Sequence, residues 1–259
     1  MDELIEKYHN DIHGFWDRHA LTQFPGMDKM PYLGQAPQFA ELDVLFLGIN
    51  PSFVEPMLIS HWAVVHPGVN AHALAVLPWL WGQNRTAEEL ALLRRQLVAL
   101  DQYSRRNYPI HYGPLETVAT GAAKRAGLKE VRWHTLDMLP VRARFQSELA
   151  QHLPIGGQWH ALAENMFLRS VQLLIEMKPR VVVVANALVA NLLIEKFEMR
   201  PQDNGHRYET EYLPGVPFLL SGMLSYGVTD RFSRDRLTAD LGNALLGGNG
   251  LQPSVNEPR

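Results

Sequence analysis

Four consecutive valines constrain this chain more than any other feature. The segment RVVVVA (180–185) carries β-branched side chains at every interior position. Such residues are stiff about χ1, which disfavours helix slightly and suits the pleated surface of a strand. With no polar residue alternating among them, neither face of the strand can be left in water. A strand covered on both faces belongs inside a largely parallel sheet with helices above and below it.

Other segments repeat the pattern. VLFL (44–47), VRWHTL (131–136, leading into Asp137) and VPFLL (216–220) read as three further core strands, and 206–213 is a candidate for an extra one. Helical spacing lies between and around them. Thr86 and Glu89 form a capping box ahead of Leu90, Leu93, Leu97 and Leu100, which predicts a helix over 86–101. Further helices are expected over 115–126 (stopped at Gly127), 161–177 (ended by Lys178-Pro179), 187–197 and 230–246. Near the N-terminus, Leu4, Ile5, Tyr8, Ile12, Phe15 and Trp16 are interleaved with charges, which predicts an amphipathic helix and not a signal peptide. The expected fold class is therefore α/β: three layers, α/β/α, around a mainly parallel four-stranded sheet with right-handed crossovers. One domain is expected over 1–246, followed by a Gly-, Asn- and Pro-containing flexible tail over 247–259.

Composition narrows the function classes. At 259 residues and 46% hydrophobic content the chain can build one large core. A formal net charge of −3 provides no global positive field, so a nucleic-acid contact would have to use a local basic patch. The absence of cysteine rules out disulfides and thiolate metal sites and fits a reducing, cytoplasmic setting. No apolar run approaches the length of a membrane span. His61, His66 and His72, spaced by five and six, match no helical ligand pair, and no Walker-type loop is present, so neither a metal nor an organic cofactor is expected.

Three loops then follow strand C-terminal ends, where open α/β sheets bind ligands: GINPS (48–52), DMLPVR (137–142) and SGMLSYG (221–227). In the first, Gly48 permits close backbone approach, Pro51 fixes φ, and Asn50 offers an amide between them. The alternative is that Asn50-Pro51 is a turn pair ending a strand.

GINPS resembles the first active-site motif of the uracil-DNA glycosylase superfamily, closest to its mismatch-specific uracil/thymine branch, in which Gly-Ile-Asn-Pro precedes a small residue. In the same order along the chain, LDMLPVR (136–142) resembles the second-strand segment, KPRVVVVANALVANLL (178–193) the third strand and helix, and SGMLSYG the last motif. The resemblance implies a uracil-DNA glycosylase-like fold and a monofunctional DNA N-glycosylase of base-excision repair, a hydrolase that flips a damaged or mismatched base out of the duplex. DNA is the implied partner, through a local basic patch, and a monomer is expected. The alternative is a nucleobase- or nucleic-acid-binding relative that does not cleave.

Residue roles follow from the resemblance. Asn50 is implied to hold the water that attacks the sugar, since an amide orients water without supplying a proton. Gly48, Ile49, Phe53, Trp62 and Asp137 are implied to bind the base, with Trp62 or Phe53 stacking on it. Asp137 stands where many relatives carry an asparagine. A carboxylate accepts hydrogen bonds but donates none, so it suits an amino group or ring N–H better than O4 of uracil. An ion pair between Asp137 and Arg142 or Arg144 is the alternative. Ser221, Leu224, Ser225, Arg231 and Arg234 are implied to contact DNA, with Leu224 as an apolar wedge and the arginines on phosphates. Leu224 can equally return to the core, and the arginines can form a solvated helix face balanced by Asp230, Asp235 and Asp240. In the last motif Leu220 falls where relatives place a polar residue that assists the departing base, and Gly222 where they place a serine.

Overall fold

The computed structural model describes residues 41–49, 109–139, 161–202, 206–224 and 229–247. These contain β1 (Val44–Gly48), α1 (Pro109–Arg125), β2 (Trp133–Asp137), α2 (Ala161–Met177), β3 (Val181–Val184), α3 (Ala187–Lys196), β4 (Arg200–Gln202), β5 (Arg207–Glu209), β6 (Phe218–Leu220) and α4 (Arg231–Gly247). The helices expected near the N-terminus and over 86–101 lie outside the described residues, as does the 247–259 tail beyond Gly247. The class is α/β, with six strands in one mixed sheet ordered β2-β1-β3-β6-β5-β4.

The apolar runs occupy the middle of that sheet. Val181, Val182, Val183 and Val184 are all fully buried, as are Val44, Leu45 and Leu47 of β1. β3 and β6 are parallel, with Val182 opposite Phe218 and Val184 opposite Leu220. The expectation of four mainly parallel strands needs correction on the far side of β6, where β5 pairs antiparallel with β6 and β4 antiparallel with β5. These two strands of three residues are polar: Arg207 pairs with Glu209 at 2.7 Å, and Arg200 with Glu211 at 3.1 Å. Pro201 sits in β4, the last strand in the order, where among the described residues no further ladder asks for its missing N–H. A short, charged, proline-bearing edge discourages pairing with another chain.

By compactness the chain divides into two units. One comprises Met1–Ala40, Leu47–Pro109 and Thr135–Met177; the other comprises Glu41–Phe46, Ile110–His134 and Lys178–Arg259, so the division falls within β1 and β2.

In the second unit the start of the sheet is tied by charge. Asp43, only 4% exposed, accepts from the Arg132 backbone N–H at 2.9 Å and from Arg132 Nε and Nη2, each at 3.1 Å. Arg180 Nη1 adds a fourth contact at 3.3 Å, while Arg180 Nη2 donates to the Leu245 carbonyl at 2.7 Å. That last bond satisfies a carbonyl in the final turn of α4, which has no partner within the helix. Above the strands, Phe46 meets Trp133 edge to face at 5.8 Å.

α1 and α4 approach closely at two glycines. A Cβ on Gly121 would lie 2.9 Å from Thr238 Cγ2, and one on Gly242 would lie 3.0 Å from Arg125 Cβ and 3.3 Å from the Ala122 carbonyl oxygen. A larger residue at either position would force its neighbours to shift, so the glycines favour this close approach. After α1, Gly127 takes a left-handed φ of +67°, and its neighbour Leu128 returns an N–H to the Ala123 carbonyl. α3 begins directly after β3, its N-cap Asn186 accepting from the N–H groups of Leu188 and Val189.

Candidate functional site

Of the three strand ends, those at Gly48 and Asp137 belong to the first unit and that at Leu220 to the second. In the first unit, β1 ends at Gly48 and β2 at Asp137, and the pairing continues past both ends. Met138 donates to the Gly48 carbonyl at 3.0 Å and Leu139 to the Ile49 carbonyl at 2.8 Å. Met138 and Leu139 are fully buried, and Ile49 is buried as well, so apolar anchors fix the paths of both loops as they leave the sheet.

This register brings Gly48 against Asp137. A Cβ on residue 48 would lie 2.5 Å from Asp137 Oδ1, closer than real contacts allow. A side chain at 48 would push the Asp137 carboxylate aside, so Gly48 lets that carboxylate lie directly against the end of β1. Two residues separated widely in sequence and both assigned to base binding are therefore neighbours. Asn50, Phe53, Trp62 and Ser225 lie outside the described residues, as do Arg142 and Arg144.

In the second unit, β6 ends at Leu220 and the chain continues through Ser221 and Gly222. Ser221 N–H donates to the Val184 carbonyl at 2.9 Å, extending the β3–β6 pairing by one bond. Ser221 Oγ donates to the Gly222 carbonyl at 3.0 Å and Thr229 Oγ1 to the Met223 carbonyl at 2.6 Å. Leu224 is 3% exposed and packs inside, whereas Met223 beside it is 52% exposed. Of the two readings open to Leu224 from sequence, this conformation corresponds to the core leucine, and wedging into DNA would require it to leave that position.

α4 opens beside this loop. Asp230 caps it, accepting from Ser233 N–H at 3.0 Å and Ser233 Oγ at 2.6 Å; these hydrogen bonds, side chain first, hold the Asp230 carboxyl below its ordinary pKa. Arg231 Nε lies 3.6 Å from Asp235 Oδ2 with both side chains largely in water. Arg234 is half-buried, and Phe232 between the two arginines is 81% exposed. The basic residues thus stand on an accessible helix start, but within a face that also carries Asp230 and Asp235.

A cavity in this unit is lined in part by His206, Arg236 and Asp240; in sequence Arg236 reads with Arg231 and Arg234 as a candidate phosphate contact, Asp240 as one of the acids balancing them, and His206 as the start of a candidate strand. The spacing of Asp230 and Ser233 marks the helix cap that begins the α4 wall of this cavity. Among the described residues no group of His, Asp and Glu is arranged to hold a metal ion, and no helix is long and apolar enough to cross a membrane.

Compared with known proteins, the chain matches no family model and no curated protein.

Proposed function

We propose that this chain is a monofunctional DNA N-glycosylase-like protein on a uracil-DNA glycosylase type of α/β/α fold, releasing a damaged or mismatched base by hydrolysis. The observation that carries the reading is the contact of Gly48 with Asp137 at the ends of adjacent strands. It sets an acceptor beside the first residues of GINPS, which is what a base-reading group next to a water-positioning amide requires. Asn50 would orient water toward C1′ of the sugar. The bond from sugar to base breaks, the base leaves with the electron pair, water adds its oxygen to the sugar as a hydroxyl, and the proton that water gives up passes through solvent to the departed base. Asp137 would accept from an exocyclic amine or ring N–H of that base.

Leu220 supports a second reading. It ends β6 with an aliphatic side chain where relatives of the resembled family carry a polar group, and such a side chain offers nothing to a departing anion. On that reading the chain binds a base or nucleic acid without cleaving it.

The test is single-turnover base release from duplexes bearing uracil, thymine mismatched with guanine, hypoxanthine or xanthine. Release by the wild-type chain from at least one substrate, abolished or cut at least 100-fold in Asn50→Ala with abasic-duplex binding intact, supports the glycosylase. Undiminished release by Asn50→Ala removes the catalytic assignment. Binding without release from any substrate favours the second reading.

A further inference from the structure

Within the second unit, a cavity of about 330 Å³ opens between the end of β6, His206 and the first three turns of α4. Its size falls in the range of small-molecule sites. Leu220, Met223 and Leu237 give it an apolar lining, and Arg236 and Asp240 stand one turn apart on the α4 wall.

These two charges do not pair with each other. Arg231 and Asp235, in the same order and spacing one turn and a half earlier on the same helix, do approach as a pair at 3.6 Å. Arg236 instead reaches back to Ser233 Oγ at 3.4 Å. The carboxylate of half-buried Asp240 has no hydrogen bond or ion pair among the described residues. A guanidinium and a carboxylate therefore line one wall side by side, unspent on each other. The guanidinium only donates and the carboxylate only accepts, with two oxygens available. Together they complement a flat edge that presents a carbonyl beside two N–H groups, while the leucines and Met223 suit the faces of a ring.

We propose that this cavity binds a planar nitrogen heterocycle with a guanine-type edge, Asp240 accepting its two N–H groups and Arg236 donating to its carbonyl. The site is a binding site, separate from the Asn50 reading and independent of base release. An adenine-type edge offers a single donor group beside a ring nitrogen, so it leaves part of the carboxylate unsatisfied and binds more weakly.

The experiment is calorimetric titration of the full chain with guanosine and, separately, adenosine, repeated with Asp240→Asn and Arg236→Gln. The expected result is saturable guanosine binding, at least ten-fold weaker adenosine binding, and a loss of ten-fold or more for guanosine in both variants. Arg236 is exposed, so Arg236→Gln reports on binding even if Asp240→Asn melts early. Absence of guanosine binding by the wild-type chain, equal affinity for the two nucleosides, or unchanged guanosine affinity in Arg236→Gln overturns the proposal. Guanosine binding without base release from any duplex leaves this site standing and removes the glycosylase reading alone.

Discussion

Asp43 and Arg132 are joined twice, once through the Arg132 backbone N–H at 2.9 Å and again through its guanidinium at 3.1 Å. Burial by itself would raise the Asp43 pKa; the hydrogen bonds and charge of Arg132, with a further bond from Arg180, outweigh it and hold the carboxyl below its ordinary value of 3.8. A depressed carboxyl adds stability that is fully present above its unfolded pKa and is lost as pH falls through the folded value. Asp43→Ala should therefore cost about 2–4 kcal/mol at neutral pH, toward the lower side of buried-pair losses because Arg132 and Arg180 keep partial access to water. Urea unfolding followed from pH 7 downward would check both points. The gap between wild type and Asp43→Ala should narrow below about pH 4, and a gap independent of pH would discount the charge.

Gly48→Ala should destabilise by roughly 1–3 kcal/mol, the usual cost of forcing extra volume into a packed position. Because the obstacle is Asp137 Oδ1, the double change Gly48→Ala with Asp137→Ala should cost less than the sum of the single changes. Thermal melts of the four proteins close the cycle. Strict additivity would mean that the strand ends separate readily to admit the methyl group.

Asp137→Asn tests base choice. Replacing an acceptor-only group by an amide adds a donor that can meet O4 of uracil. Relative base release should move toward uracil and away from bases that present an amino group, by about ten-fold for one hydrogen bond to a group otherwise repelled. Competition between two labelled duplexes in one reaction measures the ratio directly, and an unmoved ratio would separate Asp137 from base reading.

Arg231 and Arg234 bear on DNA affinity. Replacing both with glutamine should flatten the slope of log affinity against log salt by up to about two units, one for each phosphate no longer neutralised. Arg231 already lies near Asp235, so its single variant should have the smaller effect. Fluorescence anisotropy over a salt series reads the slope, and an unchanged slope would place the phosphate-binding groups away from α4.

The parts of this fold that are readable in sequence are those where burial alone decides structure. RVVVVA announces β3 because four β-branched side chains have no polar neighbour to face water, and the helix over 161–177 is bounded as its apolar spacing and Lys178-Pro179 predict. Arg200–Gln202 gives no such signal because an edge strand is held by backbone hydrogen bonds, and its exposed arginine and proline carry no apolar signature. The site divides the same way. Gly48 and Asp137 are marked by their place at strand ends, whereas the separation of Arg236 from Asp240 depends on where a guanidinium turns in space. Charge spacing on a helix does not encode that choice, since Arg231 and Asp235 share the spacing and pair.

The two glycine approaches between α1 and α4 favour one rotational setting of the helix. With Gly121 against Thr238 and Gly242 against Arg125, rolling α4 about its own axis would bring bulkier residues into these close passages. Arg236 and Asp240 lie on the same stretch of helix, so helix packing sets where their side chains leave the backbone, while the exposed Arg236 guanidinium can still turn. A ligand arriving there would meet helix backbone already in place and would spend binding free energy mainly on ordering the Arg236 side chain.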